Sequence, residues 1–317
     1  MGRREVRAEH QRRIDALVDF AVQLEARGLM GPLSIDIDQW APFLRFAPPG
    51  HFYSPIPRLD ELAADAERVF SFERQLPGID LRVDAQRALL EQLGAVLADE
   101  QLPSTSTPPK RYYADNFAFG IGDGLVLQGL LRLLAPPRVV EVGSGFSSAL
   151  LLDTVDEHLP DTSLTFVEPY TELLESMLRP DDRQRCRIVA ERVQDVPRSL
   201  FDELVAGDVL FIDSTHVVRT GSDVVHLILE VLPRLAPGVV VHVHDIFFPF
   251  EQPRPWVEEG RQWAECYLLR AFLTENPAWE IVVWNDFVGR FERPLLERVL
   301  PRFLGNIGGS IWLRRVA

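Results

Sequence analysis

The sequence predicts an α/β protein whose C-terminal two-thirds form a doubly wound sheet, mostly parallel with an antiparallel C-terminal edge strand. From residue 111 onward, short runs rich in β-branched residues alternate with helical patterns. The runs are almost continuously apolar, as expected for parallel strands that helices bury on both faces. No helical pattern separates the last two runs, which indicates an antiparallel pair at the sheet edge.

The composition is that of a soluble globular protein with a large core. Apolar residues make up 46% of the 317 residues and charged residues 25%, and the length suits one large domain or two ordinary ones. The formal net charge is −14, and a surface this acidic repels polyphosphate, so we expect no nucleic-acid partner. Lys110 is the only lysine in the chain. Phosphate-binding loops and Schiff-base enzymes need a placed lysine, so these classes are excluded.

Cysteine usage and hydropathy predict a cytoplasmic protein. Cys186 and Cys266 lie far apart in the sequence and form no Cys-x-x-Cys motif, which is typical of a reducing compartment. The first residues lead into a charged helical pattern, and no run of 18 apolar residues occurs. We therefore expect neither a signal peptide nor association with a membrane.

Residues 1–110 are predicted to form an α-helical and irregular N-terminal region. Its predicted segments are an amphipathic helix over 3–28, a Pro/aromatic segment over 29–57, and helices near 58–72 and 83–100. A Ser/Thr/Pro-rich joint at 103–109 marks the best domain boundary and divides this region from a second domain, residues 111–317. We expect the N-terminal region to cap an active site or to form a homodimer interface.

The second domain is predicted as an alternation of strands and helices. The predicted strands are 138–142, 164–168, 187–189, 208–213, 239–243, 279–284 and 310–314. The predicted helices are near 122–134, 146–158, 171–178, 222–235 and 256–275. Because crossover helices join parallel strands, we expect the first five strands to run in one direction.

A glycine turn follows the first predicted strand and opens a helix. Gly143, Ser144 and Gly145 come directly after this strand, and Glu141 precedes them within it. Two glycines allow a tight turn and the close approach of a ligand, at the edge where doubly wound sheets bind ligands. Glu168 ends the second strand, where a carboxylate can accept hydrogen bonds from ribose hydroxyls.

These motifs resemble those of bacterial class I S-adenosylmethionine-dependent methyltransferases, and the resemblance covers about residues 111–317. It implies a Rossmann-like fold with S-adenosylmethionine as the cofactor. In that family the glycine turn faces the methionine part of the cofactor, the acid after the second strand binds the ribose, and a polar pair after the third strand faces the adenine. The cofactor-binding residues that it implies are Glu141, Gly143, Ser144, Gly145, Glu168, Gln194, Asp195 and Asp213.

An aromatic and polar stretch, residues 111–117, precedes the domain and contains Tyr113 and Asn116. Such a stretch can close over a bound cofactor as a lid, in which case Tyr113 and Asn116 are further cofactor-binding residues. It can equally be a packed connector, and the sequence is compatible with both interpretations.

A second group of chemically active residues follows the fourth and fifth predicted strands. Asp213 and His216 come after one strand, and His244 and Asp245 end the other. If the two strands are neighbours, all four side chains converge at the carboxyl edge of the sheet. His242 lies deeper on its strand and is expected to be a buried, hydrogen-bonded core histidine.

Carboxylates and imidazoles together suit a divalent metal such as Mg²⁺, Mn²⁺ or Zn²⁺. The group resembles the metal site of catechol-type O-methyltransferases, and the resemblance implies Asp213, His244 and Asp245 as metal ligands. In that group a lysine base follows the first metal aspartate, a position that His216 holds here. Without a metal, Asp245 would orient His244, which would then deprotonate the acceptor directly. The sequence is compatible with both arrangements.

The function expected from these motifs is methylation of a hydroxyl group on a small molecule, with His216 as the leading base and His244 as a second catalytic candidate. A NAD(P)-dependent oxidoreductase would share the sheet and the ribose acid, but Ser148 stands where its fingerprint needs glycine or alanine. A noncatalytic protein would keep the fold and the cofactor site without chemistry.

Overall fold

The computed structural model describes residues 46–47 and 50–317. The helix predicted for residues 3–28 and most of the Pro/aromatic segment at 29–57 lie outside the described residues. The expectation of a homodimer interface concerns the same region and stays a prediction. Throughout the part of the chain that is described, no helix combines the length and apolar character needed to cross a bilayer.

The chain divides into two compact units. The smaller consists of Met1–Phe72 with Pro253–Gln262, and the larger of Glu73–Gln252 with Trp263–Ala317. This division differs from the boundary predicted at residue 110, because residues 73–110 pack within the sheet domain. Gln86 is fully buried there. Its amide nitrogen donates to the Leu81 carbonyl at 2.6 Å, and its amide oxygen accepts from the backbone N–H of Trp284 at 2.9 Å.

The described helices are mostly short. They are α1 (Leu59–Ala64), α2 (Ala66–Val69), α3 (Val83–Val96), α4 (Ile121–Leu134), α5 (Phe146–His158), α6 (Glu172–Met177), α7 (Asp182–Arg185), α8 (Ser199–Asp202), α9 (Asp223–His226), α10 (Arg254–Glu258), α11 (Glu265–Leu273), α12 (Asn285–Phe291) and α13 (Arg293–Val299). The single helix predicted near 256–275 is wrong, since α10 and α11 are separate. Gly260 lies between them with a φ of +88°, a left-handed conformation that ends a helix.

Seven strands of the described chain form one sheet in the order β3-β2-β1-β4-β5-β7-β6. The strands are β1 (Arg138–Val142), β2 (Ser163–Val167), β3 (Cys186–Val189), β4 (Val209–Ile212), β5 (Val240–Val243), β6 (Trp279–Trp284) and β7 (Ile311–Arg315). Strands β1 to β5 are parallel, and β7 runs antiparallel to β5 and to the edge strand β6. The predicted fold class is therefore confirmed. Helices α12 and α13 join β6 to β7, where no helix was expected.

The strand order places three strand ends side by side. Strand β1 lies between β2 and β4, so the order of the sheet reverses at this point. Val142 pairs with Ile212, and Ile212 pairs with Val243, so β1, β4 and β5 finish level at their carboxyl ends. Open α/β sheets bind ligands in the crevice at such a switch point. Residues that directly follow these buried strands are therefore the first candidates for a functional site.

We predict that Arg111→Ala lowers the free energy of unfolding by about 3–5 kcal/mol, because it removes the partner of two buried acids. The Arg111 guanidinium bonds Asp153 at 2.8 Å and also contacts Asp182, and all three side chains are almost fully buried. Urea denaturation of both proteins measures the loss. Arg298→Ala, which breaks an exposed pair with Glu91, is the control and should change the midpoint little. Equal effects of the two substitutions would contradict this account.

Candidate active site

The glycine turn after β1 packs directly on the end of β4. Gly143 has a φ of +82°, and a Cβ atom there would lie 1.7 Å from the Asp213 carbonyl oxygen. The Gly143 N–H donates to the Val167 carbonyl at 3.0 Å, and the Asp213 N–H donates to the Val142 carbonyl at 2.9 Å. Only glycine satisfies both the conformation and this backbone contact. The turn and the residues that follow β4 therefore form one site.

Glu141 lies beneath the glycine turn and is fully buried. One carboxylate oxygen contacts the Ser148 hydroxyl, which also accepts from the Gly145 N–H at 3.0 Å. The other oxygen, Oε1, has no hydrogen-bond partner among the described residues. Burial raises the pKa of Glu141 to about 8, against the lowering effect of the Ser147 and Ser148 hydroxyls. A buried acid with an unsatisfied oxygen is costly, and it marks a place where a ligand can supply the missing donor.

Glu168 follows β2 and is anchored to the same turn. Its Oε2 accepts from the Ser144 N–H at 3.1 Å, and its Oε1 accepts from the Tyr170 N–H at 2.7 Å. Each carboxylate oxygen has a second lone pair, so both can accept one more hydrogen bond. The carboxylate is thus held in one orientation at the carboxyl edge with acceptor capacity left.

The remaining residues predicted to bind the cofactor lie around this turn, and they differ in the contacts that they already make within the protein. Gln194 and Asp195 follow β3 on the same edge; the Gln194 amide donates to the Gly221 carbonyl at 3.0 Å, and Asp195 pairs with Arg192 at 2.7 Å. The Tyr113 ring packs edge-on against Phe146, the first residue of α5, at 5.3 Å. Tyr113 therefore borders the glycine turn.

Asn116 is occupied within its own loop. Its amide nitrogen donates to the carbonyls of Tyr113 and Phe119 at 2.7 and 2.8 Å. Its amide oxygen accepts from the N–H groups of Ala118 and Phe119 at 2.9 and 2.6 Å. Two donors and two acceptors exhaust the side chain. Asn116 therefore has no free donor or acceptor for the predicted contact to a cofactor. The side chain instead shapes the loop that exposes Phe117.

The acid and histidine residues after β4 and β5 converge as predicted from neighbouring strand ends. His216 Nε2 lies 3.4 Å from Asp213 Oδ1 and 3.8 Å from Asp245 Oδ2. His244 Nε2 lies 3.6 Å from Asp245 Oδ1. His216 and Asp245 both adopt positive φ, +61° and +55°. Backbone strain at residues other than glycine persists only where surrounding structure enforces it, and it clusters at functional sites.

His216 is held from its other side by two residues that the sequence did not indicate. Its Nδ1 lies 2.9 Å from Glu265 Oε2, and its ring lies 4.4 Å from the Trp263 ring. Burial lowers the pKa of His216, but its bonds to Asp213 and Glu265 raise it well above the usual value. These contacts favour the protonated imidazole, so loss of its proton is shifted to a higher pH than for an ordinary histidine. Glu265 starts α11, inside the region predicted as one long helix, so sequence reasoning missed it.

His244 faces a second missed acid, Asp123 on α4. Burial lowers the pKa of His244, but the charges of Asp213, Asp245 and Asp123 raise it to about 8. His244 Nδ1 is buried without a hydrogen-bond partner among the described residues. Asp123 accepts hydrogen bonds from Asn285 at 2.9 Å and from the Ser310 N–H at 3.2 Å, and burial raises its pKa. This acid fastens the start of β7 beneath the site.

The surroundings of Asp213 favour its charged form, whereas the surroundings of His242 favour its neutral form. Burial raises the pKa of Asp213, yet the charges of His244 and His216 lower it to about 2, so its carboxylate stays ionised. His242 is fully buried and stacks on Phe211 at 3.8 Å. Burial lowers its pKa well below the usual value. His242 is thus the buried core histidine that its position on β5 predicted, but the expected hydrogen bond is missing, since neither ring nitrogen has a partner among the described residues.

The predicted metal ligands do not form a compact donor set. Among the described residues, three ligand-type side chains with donor atoms within 4.8 Å of one another occur at Glu100, Glu157 and His158, away from this edge. Asp213, His244 and Asp245 do not meet that spacing, and the His216 ring nitrogen lies between the two aspartates. A divalent ion needs its ligands closer together. The side chains as arranged do not fit a metal, so no chemical step is assigned to one.

Comparisons with known proteins place this site in a family. A profile described as a methyltransferase domain matches residues 140–246, which include the glycine turn and both strand ends. An uncharacterized protein of Archaeoglobus fulgidus is 32% identical over 170 residues, covering 50% of this chain and 73% of that protein. The chain belongs to the class I methyltransferase family.

Solved structures of methyltransferases are similar to this chain at lower sequence identity. The O-methyltransferase TomG from Streptomyces achromogenes, in complex with S-adenosylmethionine, is 15% identical, with 82% of this chain and 97% of that chain covered and a TM-score of 0.40. An O-methyltransferase from Bacillus cereus, in complex with S-adenosylhomocysteine, is 14% identical, with 81% and 97% covered and a TM-score of 0.37.

We predict that Glu141→Gln stabilises the ligand-free methyltransferase at alkaline pH. Because the pKa of Glu141 is raised in the folded state to about 8 from an ordinary 4.5, the unfolded chain loses this proton first. Stability therefore falls as the pH rises from 4.5 to 8. The variant lacks this fall and should be more stable at pH 8.5 by about 1–3 kcal/mol.

Urea denaturation at pH 5.5 and 8.5 measures this difference. Glu172→Gln, at an exposed position on α6, is the control and should leave the pH dependence unchanged. If the wild-type protein and the Glu141→Gln variant show the same pH dependence of unfolding, this prediction is wrong. Glu141 would then be ionised in the folded chain.

Proposed function

We propose that this chain transfers the methyl group of S-adenosylmethionine to a hydroxyl oxygen of a small molecule. One observation carries the proposal: the Gly143 turn lies against the backbone of Asp213, so a cofactor at the turn borders the acid–histidine group. Methyl transfer is an in-line displacement at a sulfonium carbon, and it needs the nucleophile aligned and desolvated beside that carbon. Adjacent strand ends supply this arrangement.

The residues around the turn suit the parts of the cofactor. The partnerless Oε1 of Glu141 can accept a hydrogen bond from the ammonium group of the methionine part, whose charge would also lower the cost of the buried carboxylate. The free lone pairs of Glu168 can accept the ribose hydroxyls. Gln194 and Asp195 lie at the same edge of the sheet, where they can face the adenine. Tyr113 borders the turn beside Phe146.

His216 is the residue that we propose as the base. In its neutral form, Nε2 takes the proton of the acceptor hydroxyl while the oxygen forms a bond to the methyl carbon and the sulfonium bond breaks. Asp213 and Asp245 lie beside Nε2 and stabilise the imidazolium that results. His244 has one buried ring nitrogen and contacts Asp245 through the other, so its proposed contribution is charge close to the acceptor.

The acceptor that we propose is a neutral small molecule. Asp123, Asp213, Asp245 and Glu265 bring four carboxyl groups to the end of β4 and β5, against two imidazoles. A carboxylate or phosphate on the acceptor would be repelled by the ionised Asp213 carboxylate here unless a cation accompanied it. An uncharged alcohol or phenol meets no such cost.

Transfer of a labelled methyl group from S-adenosylmethionine to a panel of neutral phenols and alcohols tests the proposal. We expect S-adenosylhomocysteine to form with at least one acceptor, and thermal stabilisation by S-adenosylhomocysteine to exceed that by NAD(H). Asp213→Asn, which removes one of the carboxylates that stabilise the His216 imidazolium, should reduce turnover roughly 10²-fold or more. Stabilisation by NAD(H) alone would replace the methyltransferase proposal with an oxidoreductase.

We predict that Glu265→Gln moves the rising limb of the pH–rate profile to lower pH by about one unit. The Glu265 carboxylate raises the pKa of His216, so without this charge the ring gives up its proton at lower pH. Glutamine keeps a hydrogen-bond acceptor for Nδ1. The measurement is the methyl-transfer rate between pH 6 and 10.

Glu297→Gln, on the exposed face of α13, is the control for this profile and should leave it in place. An unmoved rising limb in Glu265→Gln would remove His216 as the group whose deprotonation sets the rate.

A further inference from the structure

The ring of His216 lies between the two aspartates that end β4 and β5. Nε2 is 3.4 Å from Asp213 Oδ1 and 3.8 Å from Asp245 Oδ2. These two oxygens are more than 4.8 Å apart, since together with Nε2 they do not form a set of donors within that distance of one another. The ring nitrogen therefore separates the carboxylates.

This separation is too wide for a shared magnesium ion. Oxygen ligands lie about 2.0–2.1 Å from Mg²⁺, so even two ligands on opposite sides of the ion are only about 4.2 Å apart. Asp213 Oδ1 and Asp245 Oδ2, the two oxygens that flank the ring, exceed that limit. The ring nitrogen also lies at hydrogen-bond or close ion-pair range of both carboxylates, in the space that an ion bridging them would need.

The ring is held in this place from behind. Glu265 Oε2 bonds Nδ1 at 2.9 Å, and the Trp263 ring packs against the imidazole at 4.4 Å. Glu265 is nearly fully buried, and the backbone N–H groups of Ala264 and Glu265 both donate to the His216 carbonyl, at 3.0 and 3.2 Å. The ring therefore cannot swing aside without breaking its bond to Glu265 and its contact with Trp263, and the backbone hydrogen bonds keep Glu265 beside it.

We propose that the His216 ring takes the place of a divalent ion at this edge, keeping Asp213 and Asp245 apart so that they bind no metal while it is present. The inference concerns what occupies the edge and does not depend on methyl transfer. It is tested by metal binding alone, so its failure is distinguishable from a failure of the proposed function.

Mn²⁺ binding, measured by calorimetry and by the electron paramagnetic resonance signal of free Mn²⁺, is the test. All proteins carry Glu157→Gln, because Glu100, Glu157 and His158 are spaced as a metal site elsewhere. Four proteins are compared. The first is this background alone, and the other three add to it Asp245→Asn, His216→Ala, or both of these substitutions. Near-ultraviolet circular dichroism checks that each one is folded.

We expect the background protein to bind no Mn²⁺ that depends on Asp245, and His216→Ala to gain a site at least about tenfold tighter than any in the background. Asp245→Asn should abolish that gained site. Binding by the background that Asp245→Asn removes would overturn the proposal, and so would a folded His216→Ala protein that gains no site. If His216→Ala does not fold, His216→Asn, which also shortens the side chain, takes its place under the same two criteria.

Discussion

The contact between the Gly143 turn and the Asp213 carbonyl is the constraint on which this active site depends. Any side chain at position 143 would enter the space of that carbonyl, and its left-handed backbone suits glycine alone. Because β1 and β4 are neighbours and finish level, this contact joins the turn after one strand to the acids after the other. Two groups that are 70 residues apart in the chain thereby lie side by side in one site. The rest of the sheet serves to hold these two ends in register.

Buried acids give the site its chemical character at a cost in stability. Burial raises the pKa of Glu141, Glu265 and Asp123, so each is destabilised in its ionised form. Such groups are retained where they have a task, and proteins commonly give up stability at active sites for this reason. Asp213 raises the pKa of both histidines, and two of the three buried acids add to this effect, Glu265 at His216 and Asp123 at His244. With Lys110 as the only lysine and distant in sequence from these strand ends, histidine is the natural proton acceptor here.

The His216 ring also explains why a metal-like set of residue types does not make a metal site. Asp213, His244 and Asp245 are the types that ligate divalent ions, and they lie on adjacent strand ends as the sequence indicated. Coordination, however, depends on distances of a few tenths of an ångström. These distances are set by Glu265 and Trp263, which hold His216 between the carboxylates. Residue type alone cannot distinguish an ion from an imidazole in that space.

The sequence by itself determined the sheet, the direction of its strands and the position of the turn, because buried parallel strands have a local apolar pattern and tight turns need glycine. Strands β1 and β6 and helix α5 have the predicted bounds. Only the tertiary structure decided which partners complete the site. Glu265 and Asp123 reach it from distant helices, and Asn116 turns inward on its own loop. The reason is physical: pKa, charge and ligand spacing arise from contacts between residues far apart in the chain, and no local pattern encodes those contacts.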